Sequence, residues 1–240
     1  MMKVNEHISQ LNNKGYSIIP NVYSESEIFE ITKVIAEKEL DSNSISKSKD
    51  LFAIRELVNE IPELARVLFN KNLRRLLVKL HQEGKLFLSK AIYFDKLEGS
   101  NWFVAYHQDL TINVIEQKQI EGFKNWTNKR GQIGVQPPTE YLDRTITIRI
   151  HLDDTDETNG ALRVVPESHL NGVVRTEERS QNSKEFTCEV KSGGIMLMRP
   201  LTFHASSKAS GHSNRRVIHL EFCDKPLPEE LDWKERLEIV

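Results

Sequence analysis

Residues 144–152 read Arg-Thr-Ile-Thr-Ile-Arg-Ile-His-Leu, a β-branched run with the length of a single strand. From residue 85 onward the chain contains more short runs of β-branched and aromatic residues, separated by Gly, Pro and Asn: LFLSKAIYF (86–94), FVAYHQDL (103–110), ALRVV (161–165), GIMLMRP (194–200) and RRVIHLEF (215–222). Many short strands of this kind are typical of a β-sandwich or β-barrel. The C-terminal two-thirds of the chain is therefore expected to be mainly β.

The residues before 85 have a helical pattern instead. Ser24-Glu25-Ser26-Glu27 has the spacing of a capping box, and isoleucines follow it at helical period, which predicts a helix over residues 24–40. Two more helical patterns between residues 57 and 81 are separated near Pro62, whereas residues 15–20 predict a strand that ends at proline. Helices first and strands afterwards indicate an α+β chain that is mainly β.

Two polar stretches interrupt this pattern. Residues 41–50 are rich in Ser, Lys and Asp and predict a loop, and residues 113–138 contain several Gly and Pro. A segment as long as the second is usually an active-site lid or a binding loop. The length of the chain predicts one domain over 1–240, in which 1–84 is mainly helical support and 85–225 is the β-barrel core.

The composition excludes several classes of protein. A net charge of −2 gives no electrostatic footprint for nucleic acid or for an anionic membrane, and no apolar run approaches the roughly 18 residues of a membrane helix. Neither Cys188 nor Cys223 belongs to a metal-binding pattern, and no signal peptide is recognisable, so a soluble protein of the reducing cytoplasm is expected. The expected partner is a small-molecule substrate. The oligomeric state is not readable from the chain.

A metal site is indicated by Tyr106-His107-Gln108-Asp109-Leu110. His107 and Asp109 are two residues apart, so on a strand both side chains point to the same side and can reach one cation. His204 is the candidate for the third ligand. Two imidazoles and one carboxylate on one face of a metal leave three positions open, which is typical of iron(II) oxygenases.

Spacing alone does not select this pair. His151-Leu152-Asp153 has the same spacing, and His219-Leu220-Glu221 is a near relative of it. The first pair is favoured because it is framed by aromatic residues that would line an apolar pocket: Trp102, Phe103 and Tyr106. His151 and Asp153 run instead into a polar turn, where acidic side chains are usually solvated.

A binding partner for an acidic co-substrate lies further along the chain. Arg215 and Arg216 open the strand that follows His204, and a planar guanidinium binds a carboxylate through two hydrogen bonds. The distal carboxylate of 2-oxoglutarate requires such a partner. Of two neighbouring arginines on a strand only one can face inward, and Ser206 is placed to add a hydroxyl.

Three stretches of the chain resemble the phytanoyl-CoA dioxygenase family of iron(II)/2-oxoglutarate oxygenases, in particular its small bacterial-type members. They are AIYFDKLEGSNWFVAYHQDLTINV (91–114), VQPPTEYLDRTITIRIHLDDTDETNGALRVVPESH (135–169) and LMRPLTFHASSKASGHSNRRVIHLEF (197–222). The resemblance implies a double-stranded β-helix, a cupin-like jelly roll, with the N-terminal helices packed on its outside. The metal would lie inside the open end of the barrel.

The same resemblance implies roles for individual residues. The metal ligands of the family fall on His107, Asp109 and His204, which sets the pair of His151 and Asp153 aside. Its 2-oxoglutarate contacts fall on Arg215, Ser206, Arg55, Ile92 and Arg149. Arg55 replaces a lysine, whereas Arg149 stands where an aromatic residue is common and is expected to contact either 2-oxoglutarate or substrate.

The expected activity is that of an Fe(II)- and 2-oxoglutarate-dependent dioxygenase. With O2 it would hydroxylate a small molecule and release succinate and CO2. Asp109 favours hydroxylation or another oxidative outcome, because a Gly or Ala there would have indicated a halogenase. Two alternatives stay open, a cupin-like metal-dependent enzyme that does not use 2-oxoglutarate and a non-catalytic binding protein. The substrate class also stays open between an acyl-CoA, a secondary metabolite and an amino-acid-like acid.

Overall fold

The computed structural model describes residues 3–41, 46–47, 51–80, 86–96, 103–129, 131–175, 184–210 and 215–239. The described helices are α1 (Val4–Lys14), α2 (Glu25–Asp41), α3 (Leu57–Glu60), α4 (Leu64–Leu68), α5 (Lys71–Leu80) and α6 (Thr139–Asp143). Short 3-10 helices cover Glu157–Asn159 and Ser168–Asn171. In this part of the chain, no helix combines the length and apolar character needed to cross a membrane.

The strands come in three groups. A large antiparallel sheet contains β1 (Tyr16–Ile19), β2 (Ser46–Lys47), β3 (Leu51–Arg55), β4 (Phe87–Lys96), β9 (Ile146–His151), β12 (Ile195–Met198), β14 (Arg215–Cys223) and β15 (Leu237–Glu238). A four-stranded sheet contains β5 (Val104–His107), β10 (Leu162–Val164), β11 (Phe186–Cys188) and β13 (His204–Ser206). A three-stranded sheet contains β6 (Ile112–Val114), β7 (Lys124–Lys129) and β8 (Gln132–Gln136).

The large sheet has the strand order β1-β12-β9-β14-β4-β3-β2, and β15 pairs with β4 at Phe87 and Leu88. The four-stranded sheet has the order β11-β10-β13-β5. Every strand pair in both sheets is antiparallel, and the described strands of one sheet do not pair with those of the other. The prediction of a mainly β chain that begins with helices is therefore confirmed.

The two faces of the large sheet have different chemistry. On β9, Ile148 and Ile150 point to one face and Thr147, Arg149 and His151 to the other, because side chains alternate along a strand. The isoleucine face packs in one hydrophobic core with leucines of the helices, Leu57, Leu64, Leu68, Leu73, Leu76 and Leu77. The other face is the inner face of the sheet. It continues across β14 and β4 with Arg215, Val217, His219, Glu221, Lys90, Ile92, Phe94 and Lys96.

The N-terminal helices largely follow the predicted pattern. At α2 the capping box forms, since the Ser24 N–H donates to Glu27 Oε2 (2.8 Å) and the Glu27 N–H donates to Ser24 Oγ (3.3 Å). Residues 57–80 form three helices rather than two. The extra boundary is at Asn70, whose side chain accepts a hydrogen bond from the Leu73 N–H (2.8 Å) at the start of α5.

Two stretches expected to be loops contain strands. β2 lies within residues 41–50, where Ser46 and Lys47 pair with β3; the neighbouring positions 42–45 and 48–50 lie outside the described residues. Residues 113–138 contain most of the three-stranded sheet. Most of their apolar residues form a core of their own with Phe87, Tyr141 and Trp233, in which Phe123 and Val135 are buried. Burial of these side chains stabilises a sheet that the polar composition did not indicate.

Candidate metal centre and its pocket

His107, Asp109 and His204 come together at the end of two paired strands. β5 and β13 are antiparallel neighbours, and His204 lies directly opposite His107, with ring centroids 4.2 Å apart. Asp109 follows β5, and its N–H donates to the Pro200 carbonyl (2.9 Å) in the turn that leads to β13. Its carboxylate lies 3.7 Å from His107 Nε2 and 3.6 Å from His204 Nε2. One atom from each residue thus lies within 4.8 Å of the other two.

Hydrogen bonds set the tautomer of both histidines. His107 Nδ1 lies 2.9 Å from the Ala105 carbonyl, and His204 Nδ1 lies 2.9 Å from the Thr202 carbonyl. A carbonyl oxygen only accepts, so each Nδ1 carries the proton and donates it. Each Nε2 therefore presents a lone pair on the side of Asp109. Backbone carbonyls orient metal-binding histidines in this way.

The electrostatics of the cluster suit a divalent cation. Burial lowers the pKa of His204 to about 4, so its ring is neutral at pH 7. Burial opposes ionisation of Asp109, but attraction to His204, His219, His107 and Lys90 outweighs it and lowers the pKa of Asp109 to about 2. Asp109 Oδ2 is buried without a hydrogen-bond donor among the described residues. Neutral imidazoles and an ionised carboxylate are the forms that bind a metal, so the three residues fit one.

Gln108, between two of these residues, was not singled out from the sequence. Its amide nitrogen donates to the Leu201 carbonyl (2.7 Å) and the Gly172 carbonyl (2.8 Å), and its amide oxygen accepts from the Val174 N–H (3.0 Å). The side chain is buried and joins the end of β5 to two loops distant in sequence. A polar residue between two candidate ligands carries no local signal of burial, so only the tertiary contacts reveal this role.

A second acidic cluster shares Asp109 with the first. Asp109, His219 and Glu221 also place one ligand-type atom each within 4.8 Å of one another. Arg149 donates to His219 Nδ1 (3.1 Å), and His219 Nε2 therefore donates to Glu221 Oε1 (3.0 Å). Lys90 Nζ also donates to Glu221 (2.8 Å). Both ring nitrogens of His219 and the carboxylate of Glu221 thus already have hydrogen-bond partners. This cluster is therefore an ion-pair network adjacent to Asp109.

The predicted division between the two arginines is confirmed. Arg215 is 3% exposed, and one of its terminal nitrogens donates to the Gly160 carbonyl. Ser206 Oγ donates to the same carbonyl (2.9 Å). Arg216 points to the opposite face and forms two hydrogen bonds with Asp153, of 2.9 and 2.6 Å. Burial, with the nearby charge of Arg149, lowers the pKa of Arg215 to about 9.

The other expected co-substrate contacts lie at different depths. Arg149 is buried on the inner face of the large sheet, and its Nε has no partner among the described residues. Ile92 is buried on the same face, opposite His219 in the register of β4 and β14. Arg55 pairs with Ile92 across β3 and β4 but is exposed. The structure therefore brings Arg215 and Ser206 together, places Arg149 and Ile92 on the same lining, and leaves Arg55 at the rim.

The side chains of the competing pair, His151 and Asp153, point to opposite faces of the large sheet. His151 is buried on the inner face and its Nδ1 is 2.8 Å from Thr155 Oγ1. Asp153 binds Arg216, as described above. Of the aromatic residues expected to line an apolar pocket beside His107, Phe103 is 53% exposed, and Trp102 lies outside the described residues.

The three-stranded sheet begins at Ile112, directly after the turn that carries Asp109. Gln132 donates to Glu56 (3.3 Å), and Lys234 lies 3.7 Å from the same carboxylate. Within this segment, Phe123 is buried in the separate core, and the Gln136 side chain accepts a hydrogen bond from Asn125 (2.6 Å). Lys124 and Lys129 are exposed, Trp126 is half-buried, and Arg130 lies outside the described residues.

Comparison with known proteins gives a family and a fold. The sequence profile described as Phytanoyl-CoA dioxygenase (PhyH) matches residues 11–217. The phytanoyl-CoA dioxygenase domain-containing protein 1 homolog of Dictyostelium discoideum is 22% identical over 268 residues, which cover 93% of this chain and 92% of the relative.

Two solved structures share the fold. The epimerase SnoN from nogalamycin biosynthesis, in complex with Fe3+, α-ketoglutarate and nogalamycin RO, has a TM-score of 0.68 at 15% identity over 98% of this chain and 94% of its own. HygX from Streptomyces hygroscopicus, with nickel, 2-oxoglutarate and hygromycin B bound, has a TM-score of 0.65 at 15% identity over 93% of this chain and 88% of its own. The expected jelly-roll arrangement of the two main sheets is thereby confirmed.

Proposed function

Because the chain belongs to the phytanoyl-CoA dioxygenase family, we propose that it is an iron(II)- and 2-oxoglutarate-dependent dioxygenase that hydroxylates a small molecule. The observation that carries the proposal is the convergence of His107 Nε2, His204 Nε2 and the Asp109 carboxylate, with both histidine tautomers set by backbone carbonyls. These three residues would hold the iron. When bound, iron(II) together with 2-oxoglutarate supplies the activation of dioxygen, with release of succinate and carbon dioxide.

The protein's own residues would bind and orient the reactants. Arg215 and Ser206 lie at one end of the inner face, where a guanidinium and a hydroxyl suit the distal carboxylate of 2-oxoglutarate. Arg149 offers its Nε to an anionic group of the oxo acid or of the substrate. Gln108 keeps the Asp109 turn in place through its contacts with two loops. Ile92 supplies an apolar wall beside His219.

A polar small molecule, such as a secondary metabolite, is the proposed substrate class. The inner face of the large sheet carries Thr147, Arg149 and His151, and Thr147 Oγ1 and His151 Nε2 are buried without a partner among the described residues. Buried groups of this kind are usually satisfied by a bound molecule or water. Relatives of the same fold bind hygromycin B and nogalamycin RO, which is consistent with this class.

Anaerobic visible spectroscopy tests the proposed function. Iron(II) is added to the metal-free protein, followed by 2-oxoglutarate, and a weak charge-transfer band is expected. His107→Ala should abolish the band, since one of three ligands is lost, whereas Arg215→Ala should weaken 2-oxoglutarate binding by about 10- to 100-fold with iron binding retained. Arg216→Ala is the matched control, because Arg216 points away from the pocket.

The outcomes separate the remaining alternatives. A protein that binds iron without any band on addition of 2-oxoglutarate would be a metal-dependent enzyme of another kind. A protein that forms the band but yields no succinate with any substrate of this class would be a binding protein.

A further inference from the structure

Lys90 joins the large sheet to the turn that carries Asp109. It lies on the inner face of β4 and is 8% exposed. Its Nζ donates to the Thr111 carbonyl (2.8 Å) and to Glu221 Oε1 (2.8 Å). Thr111 comes two residues after Asp109 and directly before β6, whereas Glu221 lies opposite Lys90 on β14. A single ammonium group therefore connects the turn to the sheet.

A β-bulge gives Lys90 this position. Phe222 pairs with Leu88 and Glu221 pairs with Lys90, so Ser89 is an extra residue on β4. The Ser89 hydroxyl donates to the Glu221 carbonyl (3.1 Å) at the bulge. Bulges redirect the side chains of one strand and are common beside active sites. If the register continued from Leu88 without the extra residue, a serine would lie opposite Glu221 in place of the lysine.

The contacts of Lys90 continue to the side chains next to Asp109. Glu221 Oε1 accepts from Lys90 and from His219 Nε2 (3.0 Å), and Arg149 donates to His219 Nδ1 (3.1 Å). One ligand-type atom each of Asp109, His219 and Glu221 lies within 4.8 Å of the other two. Lys90, Glu221, His219 and Arg149 are all buried. Because buried polar networks restrict the positions of their members, the surroundings of the Asp109 carboxylate are fixed from the large sheet.

The bond to the turn distinguishes Lys90 from an ordinary buried ion pair. A buried pair of lysine and glutamate contributes little to stability, since the cost of removing both charges from water offsets their attraction. Lys90 has the Thr111 carbonyl as a further partner, which lies in a segment 21 residues away along the chain. Gln108 holds the same turn from its other end, through the Gly172 and Leu201 carbonyls. The backbone around Asp109 is thus anchored on both sides.

We propose that Lys90 is a positioning residue of the metal centre, which bridges the Thr111 carbonyl and Glu221 and so holds the Asp109 carboxylate beside the two histidine Nε2 atoms. The proposal rests on the metal centre of the proposed function, but not on its use of 2-oxoglutarate. Loss of an outer partner of a metal ligand usually lowers metal affinity by about 10- to 100-fold. Lys90 should therefore influence the affinity and the geometry of metal binding, and not only the stability of the fold.

The test uses a double variant of the full chain. Lys90→Met alone would leave the buried Glu221 charged and without its cation, which would endanger folding. Lys90→Met combined with Glu221→Gln removes both charges and the bond to the Thr111 carbonyl, while the glutamine oxygen can still accept from His219. Glu221→Gln alone is the matched control, because Lys90 can still donate to that carbonyl. Thermal unfolding checks that each variant is folded.

Two measurements follow the turn and the metal separately. In the metal-free protein, hydrogen exchange monitors the Asp109 N–H, which donates to the Pro200 carbonyl. Titration with cobalt(II) then gives metal affinity, and its visible d–d absorption reports the coordination geometry. The double variant is expected to exchange faster at Asp109, to bind cobalt(II) about 10- to 100-fold more weakly and to have an altered d–d spectrum. Glu221→Gln should stay within about 3-fold of the wild-type affinity, since the bond to the turn is kept.

Wild-type exchange, affinity and spectrum in the folded double variant would overturn the proposal, and Lys90 would then only support the fold. Equal losses in Glu221→Gln and the double variant would also overturn it, because the ion pair and not the bond to the turn would be responsible. A wild type that binds no cobalt(II) refutes the metal centre, and with it both the proposed function and this proposal. If the wild type binds cobalt(II) and the variants behave alike, this proposal alone fails.

Discussion

Lys90 and Lys96 are buried on the same face of one strand, yet only Lys90 has a carboxylate partner in the described structure. The same distinction applies to the other buried charges. Glu221 is paired with Lys90 and His219, whereas Asp109 Oδ2, Arg149 Nε and Arg215 Nε have no hydrogen-bond partner there. Since leaving a buried polar group without a partner costs about 1–3 kcal/mol, groups of the second kind mark positions where a ligand contributes to stability. The hydrogen-bond partners of single residues thus distinguish the ion-pair network around Glu221 from the groups that are available to a ligand.

Glu235 is a buried carboxyl outside the proposed site, and it gives a prediction about pH. Burial is the main cause that raises its pKa to about 7, above the ordinary 4.5. The folded protein therefore holds this proton more tightly than the unfolded chain, and the resulting stability is complete below pH 4.5 and is lost as the pH rises through 7. Glu235→Gln should increase the free energy of unfolding by about 1–3 kcal/mol at pH 8, since one pKa unit corresponds to about 1.4 kcal/mol.

Urea denaturation at pH 4.5 and pH 8 measures this difference. At pH 4.5 the variant and the wild type should be equally stable, because the Ala91 N–H keeps an oxygen acceptor in both. A gain in stability of the same size at both pH values would contradict the assignment, since the effect would then not come from ionisation.

At the scale of elements, the site depends on how strands and loops are joined. β5 and β13 provide His107 and His204, but Asp109 lies in a turn that Gln108 and the Pro200 carbonyl hold in place. The helix start at Ser24 could be read from four consecutive residues because the capping box is local. The three-stranded sheet within 113–138 could not, because its core is completed by Phe87 and Trp233, far away in the sequence.

Replacement of Gln108 tests whether the turn is positioned from outside. Gln108→Ala removes three hydrogen bonds that join β5 to the loops at Gly172 and Leu201, so Asp109 should be held less well. Metal affinity is expected to fall by about 10- to 100-fold, the usual effect of losing an outer partner of a metal ligand. Calorimetric titration with nickel(II), which needs no oxygen-free handling, measures this.

Gln108→Glu serves as the comparison variant. It keeps an acceptor for the Val174 N–H but has no donor for the two carbonyls. Affinity should fall in this variant as well. Unchanged metal affinity in both variants would show that the backbone alone fixes the turn.

At the scale of the whole molecule, the large sheet separates two environments. Its outer face packs against the helices in the main hydrophobic core, whereas its inner face carries Lys96, Arg149 and Arg215, which form no ion pair with a carboxylate among the described residues. The like charges of Lys96, Arg149 and Arg215 repel one another, and an anion bound among them lowers that repulsion. Binding of the metal and the oxo acid should therefore stabilise the entire fold.

The expected size follows from mass action. For the iron(II)-loaded protein under anaerobic conditions, 2-oxoglutarate at about 100 times its dissociation constant should add about 2.7 kcal/mol to the free energy of unfolding. Thermal unfolding should then shift upward by several degrees. In Arg215→Ala, iron(II) should still raise the midpoint, while 2-oxoglutarate at the same concentration should add little. An equal shift from 2-oxoglutarate in that variant would place its binding elsewhere.

The alternation of side chains along the strands, and the general order of helices first and strands afterwards, could be predicted from the sequence alone. Strand periodicity is a local property, so it predicted that only one of Arg215 and Arg216 faces inward, and the resemblance to a known family assigned that place to Arg215. Helical period and the capping box likewise predicted α2. Beyond the local pattern, the resemblance to a known family selected one of three similar His-acid pairs.

Only the tertiary structure decided which of these groups are already satisfied. Cross-strand register places His204 opposite His107 and Lys96 opposite Arg215. It also brings Arg149 into contact with His219 and Lys90 into contact with Glu221. Those pairings join residues separated by long connections, so neither spacing nor composition determines them. Burial and hydrogen-bond partners are properties of the packed chain. For this reason two features become visible only when both sheets are in place: the role of Gln108, and the burial of Lys96 without a carboxylate partner among the described residues.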